Sequence, residues 1–167
     1  DREVTVVKAA PIIGKDGNHT GDYHDVIRDQ GLRETSLESL SKLSPVVEGD
    51  LHTAGTSSQI SDGASAVLWM NRDIAESRGI KPRARISYHT MVGSDPYYLL
   101  DGPVDATQKM LDQSKYNISD FDLFECNEAF ASVMLSWAQV HEVPMEKINV
   151  NGGAIALGHP VGCTGSR

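Results

Sequence analysis

Phe121-Asp122-Leu123-Phe124-Glu125 alternates apolar and polar residues like a strand and runs directly into Cys126-Asn127-Glu128. Ala129, Phe130, Val133, Met134, Trp137 and Val140 follow at a helical period, and Lys147 to Val150 reads as a second short strand. A strand, a helix and a strand in succession predict an α/β layered fold. The same grammar extends back to Gly63. Ala64-Ser65-Ala66-Val67-Leu68-Trp69-Met70 is a nearly continuous apolar run of strand length, as expected where both faces of a strand are covered. Asn71 caps a helix that Gly79 ends, with Asp73 and Glu76 near its start. Arg85 to Val92 reads as another strand. Pro103 opens a helix with Val104, Thr107 and Leu111 on one side.

Residues 1–50 are different in kind, being polar and rich in turn signals. Val4-Thr5-Val6-Val7 predicts a strand and Gly14-Lys15-Asp16-Gly17-Asn18 a turn. Thr35-Ser36-Leu37-Glu38 is a capping-box pattern before a short helix with Leu37, Leu40 and Leu43 inward. This stretch reads as a loop or insertion region rather than a self-sufficient core. No repeat of solenoid period and no low-complexity tract occurs.

The chain has 167 residues, 15 basic and 23 acidic, for a formal net charge of −8. That length allows one ordinary domain or pieces of two, with enough chain to bury a core. Residues 1–50 hold 10 acids and 6 bases, 51–100 hold 4 and 5, and 101–167 hold 9 and 4. An acidic surface repels phosphate backbones, so nucleic acid is not an expected partner. The basic cluster Lys81, Arg83 and Arg85 reads as a solvated strand entry or as a phosphate contact, the former being the blander account. No apolar run is long enough for a transmembrane span, and Asp1-Arg2-Glu3-Val4 carries no signal-peptide pattern. Two cysteines, Cys126 and Cys163, are too few for a disulfide framework and form no C-x-x-C pair. A soluble protein of a reducing compartment, the cytoplasm, is the expectation. His19 and His24, with Asp22 and Asp25 beside them, offer at most an adventitious metal site, so no metal or prosthetic group is expected.

The chemistry is expected in two segments. Five of the fifteen glycines fall in the final sixteen residues, and glycine permits the close backbone approach that a ligand-lining loop needs. Within that loop His159 stands between Gly158 and Pro160. Pro160 stiffens the turn that presents the imidazole, which can act as base or hydrogen-bond donor near neutral pH. An exposed turn histidine is the bland alternative. The second segment, Cys126-Asn127-Glu128-Ala129-Phe130-Ala131, lies where a strand meets a helix, the usual ligand position in α/β sheets. Taken alone, Asn127 reads equally as a helix N-cap and Glu128 as a residue compensating the helix dipole.

Together the segments carry a signature. Asn127-Glu128-Ala129-Phe130 followed by Gly152-Gly153-Ala154-Ile155-Ala156-Leu157-Gly158-His159-Pro160 strongly resembles the thiolases, the acetyl-CoA acyltransferases. A third block, Thr53-Ala54-Gly55-Thr56-Ser57-Ser58-Gln59-Ile60-Ser61-Asp62-Gly63-Ala64, is similar to their coenzyme A-contacting segment, and the resemblance covers essentially the whole chain. It implies a thiolase-like layered fold, αβαβα in the full protein and only partly present here. Residues 1–62 would end the loop region, 63–80 would be the last strand and helix of the N-terminal half, and 81–167 an incomplete C-terminal half.

The resemblance also implies roles. His159 looks like the family histidine that activates a nucleophilic cysteine and helps bind the thioester oxygen. Asn127 looks like the asparagine that holds a water in the same oxyanion hole. Ser58 matches the residue touching the pantetheine arm, Ala129 and Phe130 those lining that tunnel, and Arg33 an arginine near the adenine nucleotide. Coenzyme A is then a substrate, acyl-CoA esters are the small-molecule partners, and a homodimer or homotetramer is the family's habit.

Thr56, Gln59 and Ser61 look closer to degradative 3-ketoacyl-CoA thiolases than to biosynthetic ones, as does Gly162-Cys163-Thr164-Gly165. The run Thr56–Met70 with Tyr97-Tyr98-Leu99-Leu100-Asp101-Gly102-Pro103 is similar to actinobacterial thiolases acting on steroid side-chain CoA esters. Motifs report substrate pockets poorly, so the acyl chain stays open.

The family's chemistry needs two cysteines, an acylated one in the N-terminal half and a proton-shuttling one in a C-terminal Cys-x-Gly segment. Neither is matched here. Cys126 reads as a buried small hydrophobe at a strand end, and Cys163 stands where the family also accepts alanine. A disulfide between them is against expectation in a reducing compartment. The chain is therefore expected to be the middle of a longer protein. The rival reading, from another class, is a non-catalytic fragment or a thiolase-like chain used for coenzyme A binding or assembly.

Overall fold

The computed structural model describes residues 3–167, which form two compact units divided between Glu34 and Thr35. The first is an antiparallel hairpin of β1 (Val7–Ile13) and β2 (His19–Val26), with Val7 opposite Val26 and Ile13 opposite His19. Its turn is built as the Gly14–Asn18 composition predicts. Asp16 accepts from the Asn18 backbone N–H and side-chain amide at 3.1 and 2.9 Å, while Gly17 supplies φ +81°. The expected strand at Val4–Val7 starts instead at Val7 and continues to Ile13, and its partner β2 was not anticipated. The polar, glycine-interrupted sequence His19-Thr20-Gly21-Asp22 gives no period-two apolar signal, because β2 is exposed along almost its whole length.

The second unit is organised around the segment that suggested the fold. Phe124 pairs in parallel with Ile148; Phe124 N–H donates to Lys147 O and Asn149 N–H to Phe124 O, both at 2.9 Å. Between them run α4 (Ala131–Val140) and a 3₁₀ turn at Met145–Lys147. A parallel pair bridged by a helix is the α/β unit in its smallest form. Its core is Cys126, Trp137, Ala138, Val143 and Ile148, with Phe124, Met134, Val104 and Ile118 packed around it. The helix α3 (Gly102–Gln113) closes one side. As expected from the Val104–Thr107–Leu111 face, Val104 enters the core, and Thr107 Oγ1 accepts from the Trp137 indole N–H at 2.9 Å. The buried face of α4 falls on Met134, Trp137 and Ala138, whereas Val140 is exposed.

Two shorter helices precede α3. In α1 (Leu37–Leu40) Ser36 and Ser39 form the box, but Leu37 is 87% exposed and Leu43 39%, so the inward reading holds only for half-buried Leu40, which closes over Gly55. In α2 (Arg72–Ser77) Asn71 Oδ1 accepts from Asp73 N–H at 2.8 Å. The helix ends in a Schellman motif: Gly79, at φ +65°, donates to Glu76 O, and Ile80 donates to Ala75 O.

The expected strands at 64–70 and 85–92 form no ladder among the described residues, and Phe121–Glu125 and Lys147–Val150 are reduced to the single Phe124–Ile148 bridge. Leu68 and Trp69 are largely exposed. A strand is completed by hydrogen bonds to another segment, and these residues meet none along either edge.

Candidate active site

Two short helices, α5 (Ala154–Leu157) and α6 (Val161–Thr164), flank Gly158, His159 and Pro160 at the end of the glycine loop. The segment 53–65 ties this loop to the Asn127 region. A tight turn, with Thr56 N–H on Thr53 O at 3.0 Å and Ser57 Oγ on the same carbonyl at 2.8 Å, directs the chain along residues 129–131. There Ser57 pairs antiparallel with Phe130; Ser58 N–H donates to Ala129 O at 3.1 Å and Ala131 N–H to Thr56 O at 2.9 Å. Ser58, Ala129 and Phe130 are thus neighbours across one bridge.

One residue further, Gln59 reaches the glycine loop. Its side-chain amide donates to Ile155 O at 3.1 Å, and its carbonyl accepts from His159 N–H at 2.9 Å. Ser61 occupies the space a side chain at Gly158 would need, and Pro160 lies 2.6 Å from where a Cβ at Gly63 would stand. Gly158, at φ +83°, must be glycine on both counts. The half-buried His159 ring is oriented by Thr164, with Nδ1 2.9 Å from the hydroxyl.

Asn127 is exposed, while its two neighbours are buried and anchored. Asn149, itself at φ +47°, accepts from Cys126 N–H at 2.8 Å and donates to Cys126 O at 2.9 Å and to Glu128 Oε1 at 2.8 Å. The other Glu128 oxygen accepts from Ile155 N–H at 3.1 Å. Both bland readings of this segment fail. The N-cap of α4 is Phe130, so Asn127 caps nothing, and Glu128 is spent on Asn149 and on the first turn of α5 rather than on the dipole of α4. The Asn127 side chain is therefore held in solvent between two fixed neighbours.

Arg33 lies in the hairpin-containing unit and is exposed; the other five candidates belong to the second unit. Several residues escaped sequence reading. Gln59, Glu128 and Asn149 stitch the site together, and His52 flanks Phe130 at a 4.7 Å ring separation, with Nε2 3.0 Å from Ser132 Oγ. The only available signal for Glu128 was an acid beside a helix start that in fact begins three residues later.

Both cysteines are free and buried. Cys163 is 2% exposed beneath Gly63, and its carbonyl accepts from Ser65 Oγ at 2.8 Å. Burial, assisted by the charge of Glu128, pushes the Cys126 thiol up to about 11. That thiol carries about a hundredfold less thiolate at neutral pH than one at 9.0. Because the folded state favours the protonated thiol, its contribution to stability is complete below pH 9.0 and is lost as pH rises through about 11. Site-resolved alkylation of Cys126 should rise about tenfold per pH unit up to that point; levelling off near 9 would contradict the burial argument. Among the described residues no group of three or more His, Cys, Asp or Glu is placed to hold a metal, and no helix is long and apolar enough to cross a membrane.

Residues 8–73 match the thiolase N-terminal domain, and residues 80–167 match the thiolase C-terminal domain. Steroid 3-ketoacyl-CoA thiolase FadA6 of Mycobacterium tuberculosis is 48% identical over 139 residues, covering 83% of this chain and 34% of its own length. The 3-ketoacyl-CoA thiolase of Aeromonas hydrophila is 46% identical over 171 residues, covering 95% of this chain and 43% of its own. Among solved structures, the Bacillus anthracis acetyl-CoA acetyltransferase superposes with a TM-score of 0.80 at 36% identity, over 86% of this chain and 38% of that one. Human mitochondrial 3-ketoacyl-CoA thiolase gives 0.76 at 38% identity, over 89% and 38%. The chain spans about a third to less than half of the length of the relatives it matches.

Proposed function

The chain belongs to the thiolase family, with a partial thiolase-like fold, and on that premise we propose that it supplies the histidine–asparagine part of a degradative thiolase. The parent enzyme would cleave a 3-ketoacyl-CoA with free coenzyme A, releasing acetyl-CoA and a shortened acyl-CoA. One observation carries this reading: Thr56–Gln59 is bonded both to residues 129–131 and to Ile155 and His159, which draws the proposed pantetheine contacts and the proposed catalytic histidine onto one strip of chain.

In this scheme His159 takes the proton of a cysteine thiol, and the resulting thiolate attacks the 3-keto carbon. The 3-keto oxygen takes up negative charge as that bond forms. When the tetrahedral centre collapses, the charge moves to the thioester oxygen of the departing acetyl-CoA, where the new His159 N–H and a water held by Asn127 would stabilise it; donors fixed in advance do this without reorganisation at the moment of reaction. The bond between the keto carbon and the neighbouring CH₂ breaks. A second cysteine, also assigned outside this chain, gives its proton to the departing carbon to form acetyl-CoA and recovers one from the coenzyme A thiol. The coenzyme A thiolate then takes the acyl group, and the released cysteine thiolate takes its proton back from His159. Ser58, Ala129 and Phe130 would line the pantetheine arm, and Arg33 would meet the adenine nucleotide. We assign the nucleophile to a cysteine outside this chain, because Cys126 and Cys163 are both buried and Cys126 holds its proton to about pH 11.

We place residues 63–80 at the end of the N-terminal half and 81–167 in the C-terminal half, in a cytoplasmic homodimer or homotetramer. The likeness to a relative named for steroid 3-ketoacyl-CoA supports a bulky, ring-bearing acyl chain among the substrates.

The test compares the 167-residue chain with the complete protein that carries it, measuring acetyl-CoA formed from acetoacetyl-CoA and longer 3-ketoacyl-CoA esters. Turnover is expected from the complete protein and none from the chain alone. Turnover by the chain alone would make Cys126 or Cys163 the nucleophile. Coenzyme A binding without turnover by the complete protein would leave the binding or assembly reading instead.

A further inference from the structure

His159 Nδ1 lies 2.9 Å from Thr164 Oγ1, and the same hydroxyl lies 3.2 Å from Pro160 O. A hydroxyl has one proton to give. If Thr164 gave it to the ring, the hydroxyl oxygen would stand 3.2 Å from the Pro160 carbonyl oxygen, which two backbone N–H groups already approach, with no proton between the two oxygens. If Thr164 gives it to Pro160 O, the ring must supply a proton from Nδ1, and both contacts become hydrogen bonds. We propose that Thr164 is a positioning residue that fixes neutral His159 as the Nδ1–H tautomer and so leaves Nε2 as the proton acceptor.

Two further features fit. Nε2 has no hydrogen-bond partner among the described residues, so it is available to an incoming group. The ring is also tethered at its own backbone, where His159 N–H donates to Gln59 O at 2.9 Å, while the turn is held by Cys163 and Thr164 N–H groups on Pro160 O. The Thr164 contact survives protonation, since Nδ1 donates in both the neutral ring and the imidazolium. Nε2 alone would change, from acceptor before a proton arrives to donor afterwards. That order is the one the proposed function requires of His159, and the inference rests on that reading for its catalytic meaning.

The experiment locates the proton and involves no turnover, so failure of a thiolase assay would strike the functional reading and leave this result untouched. In protein carrying ¹⁵N-labelled histidine, the two ring nitrogens of His159 are read by NMR about two pH units above the ordinary imidazole value of ~6.5. Wild type and Thr164→Ser, which keeps the hydroxyl, should both show Nδ1–H as the major form. Thr164→Val, similar in shape but without the hydroxyl, should lower the ratio of Nδ1–H to Nε2–H about fivefold, the share of one neutral hydrogen bond. Nε2–H as the major wild-type form, or an unchanged ratio in Thr164→Val, would overturn the proposal. Should the valine variant fail to fold, the wild-type and serine proteins decide it by themselves.

Discussion

Replacing His159 with alanine in the complete enzyme is expected to lower kcat by about four orders of magnitude while KM for coenzyme A moves only a few-fold. A general base contributes ~10²–10⁴ and an oxyanion donor ~10²–10³, and one imidazole that serves both roles loses both, less than additively. The proposed pantetheine contacts are spared because they sit elsewhere: Ser58, Ala129 and Phe130 are held by the bridge between Thr56–Ser58 and Ala129–Ala131, which does not involve the ring. Steady-state kinetics with a 3-ketoacyl-CoA substrate decide the matter. A rate near wild type would remove His159 from the chemistry, and an equal loss in KM would turn it into a binding residue.

The second large effect is expected at Gly153. A Cβ built there falls on the Glu128 carboxyl group itself, although the φ of −99° is ordinary for any residue. Glycine is required here for closeness, not for handedness. Gly153→Ala must push the carboxylate off Asn149 Nδ2 and Ile155 N–H, and those two bonds join the Asn127 turn to the histidine loop. Overpacking costs about 1–3 kcal/mol, and a lost hydrogen bond to a charged group about 1.5–3, so a destabilisation of about 4 kcal/mol is expected. Denaturant unfolding should show a lower midpoint with an unchanged slope. In a Glu128→Ala background the same glycine substitution should cost less than about 1 kcal/mol, since nothing then stands in the way of the methyl group. Additive costs would mean that the clash is not the cause.

Local punctuation was legible in the sequence because its partners lie within a few residues. The Asn71 cap, the Gly79 stop and the proline-led start of α3 all stand where composition puts them. Glu128 was misread for the converse reason. Its nearest feature along the chain is a helix start, whereas its partners Asn149 and Ile155 lie 21 and 27 residues away. The apolar run Ala64–Met70 shows a related limit. Strand character was read from residue type, but a ladder depends on a neighbour that no local pattern names, and Trp69 is left 65% exposed.

By itself the sequence determined the family and the residues that carry the proposed chemistry, because side-chain identity and spacing are properties of the chain. It also determined both ends of α2 and the start of α3, through a cap, a stop and a proline that act over one turn. Only the tertiary structure decided that Asn127 is free of capping duty, that Gln59 and Glu128 fasten the motifs together, and that Thr164 reaches the histidine ring. The reason is physical. A donor and an acceptor meet within 3 Å only once the chain has folded to bring them there, and nothing in either residue's own neighbourhood announces its partner.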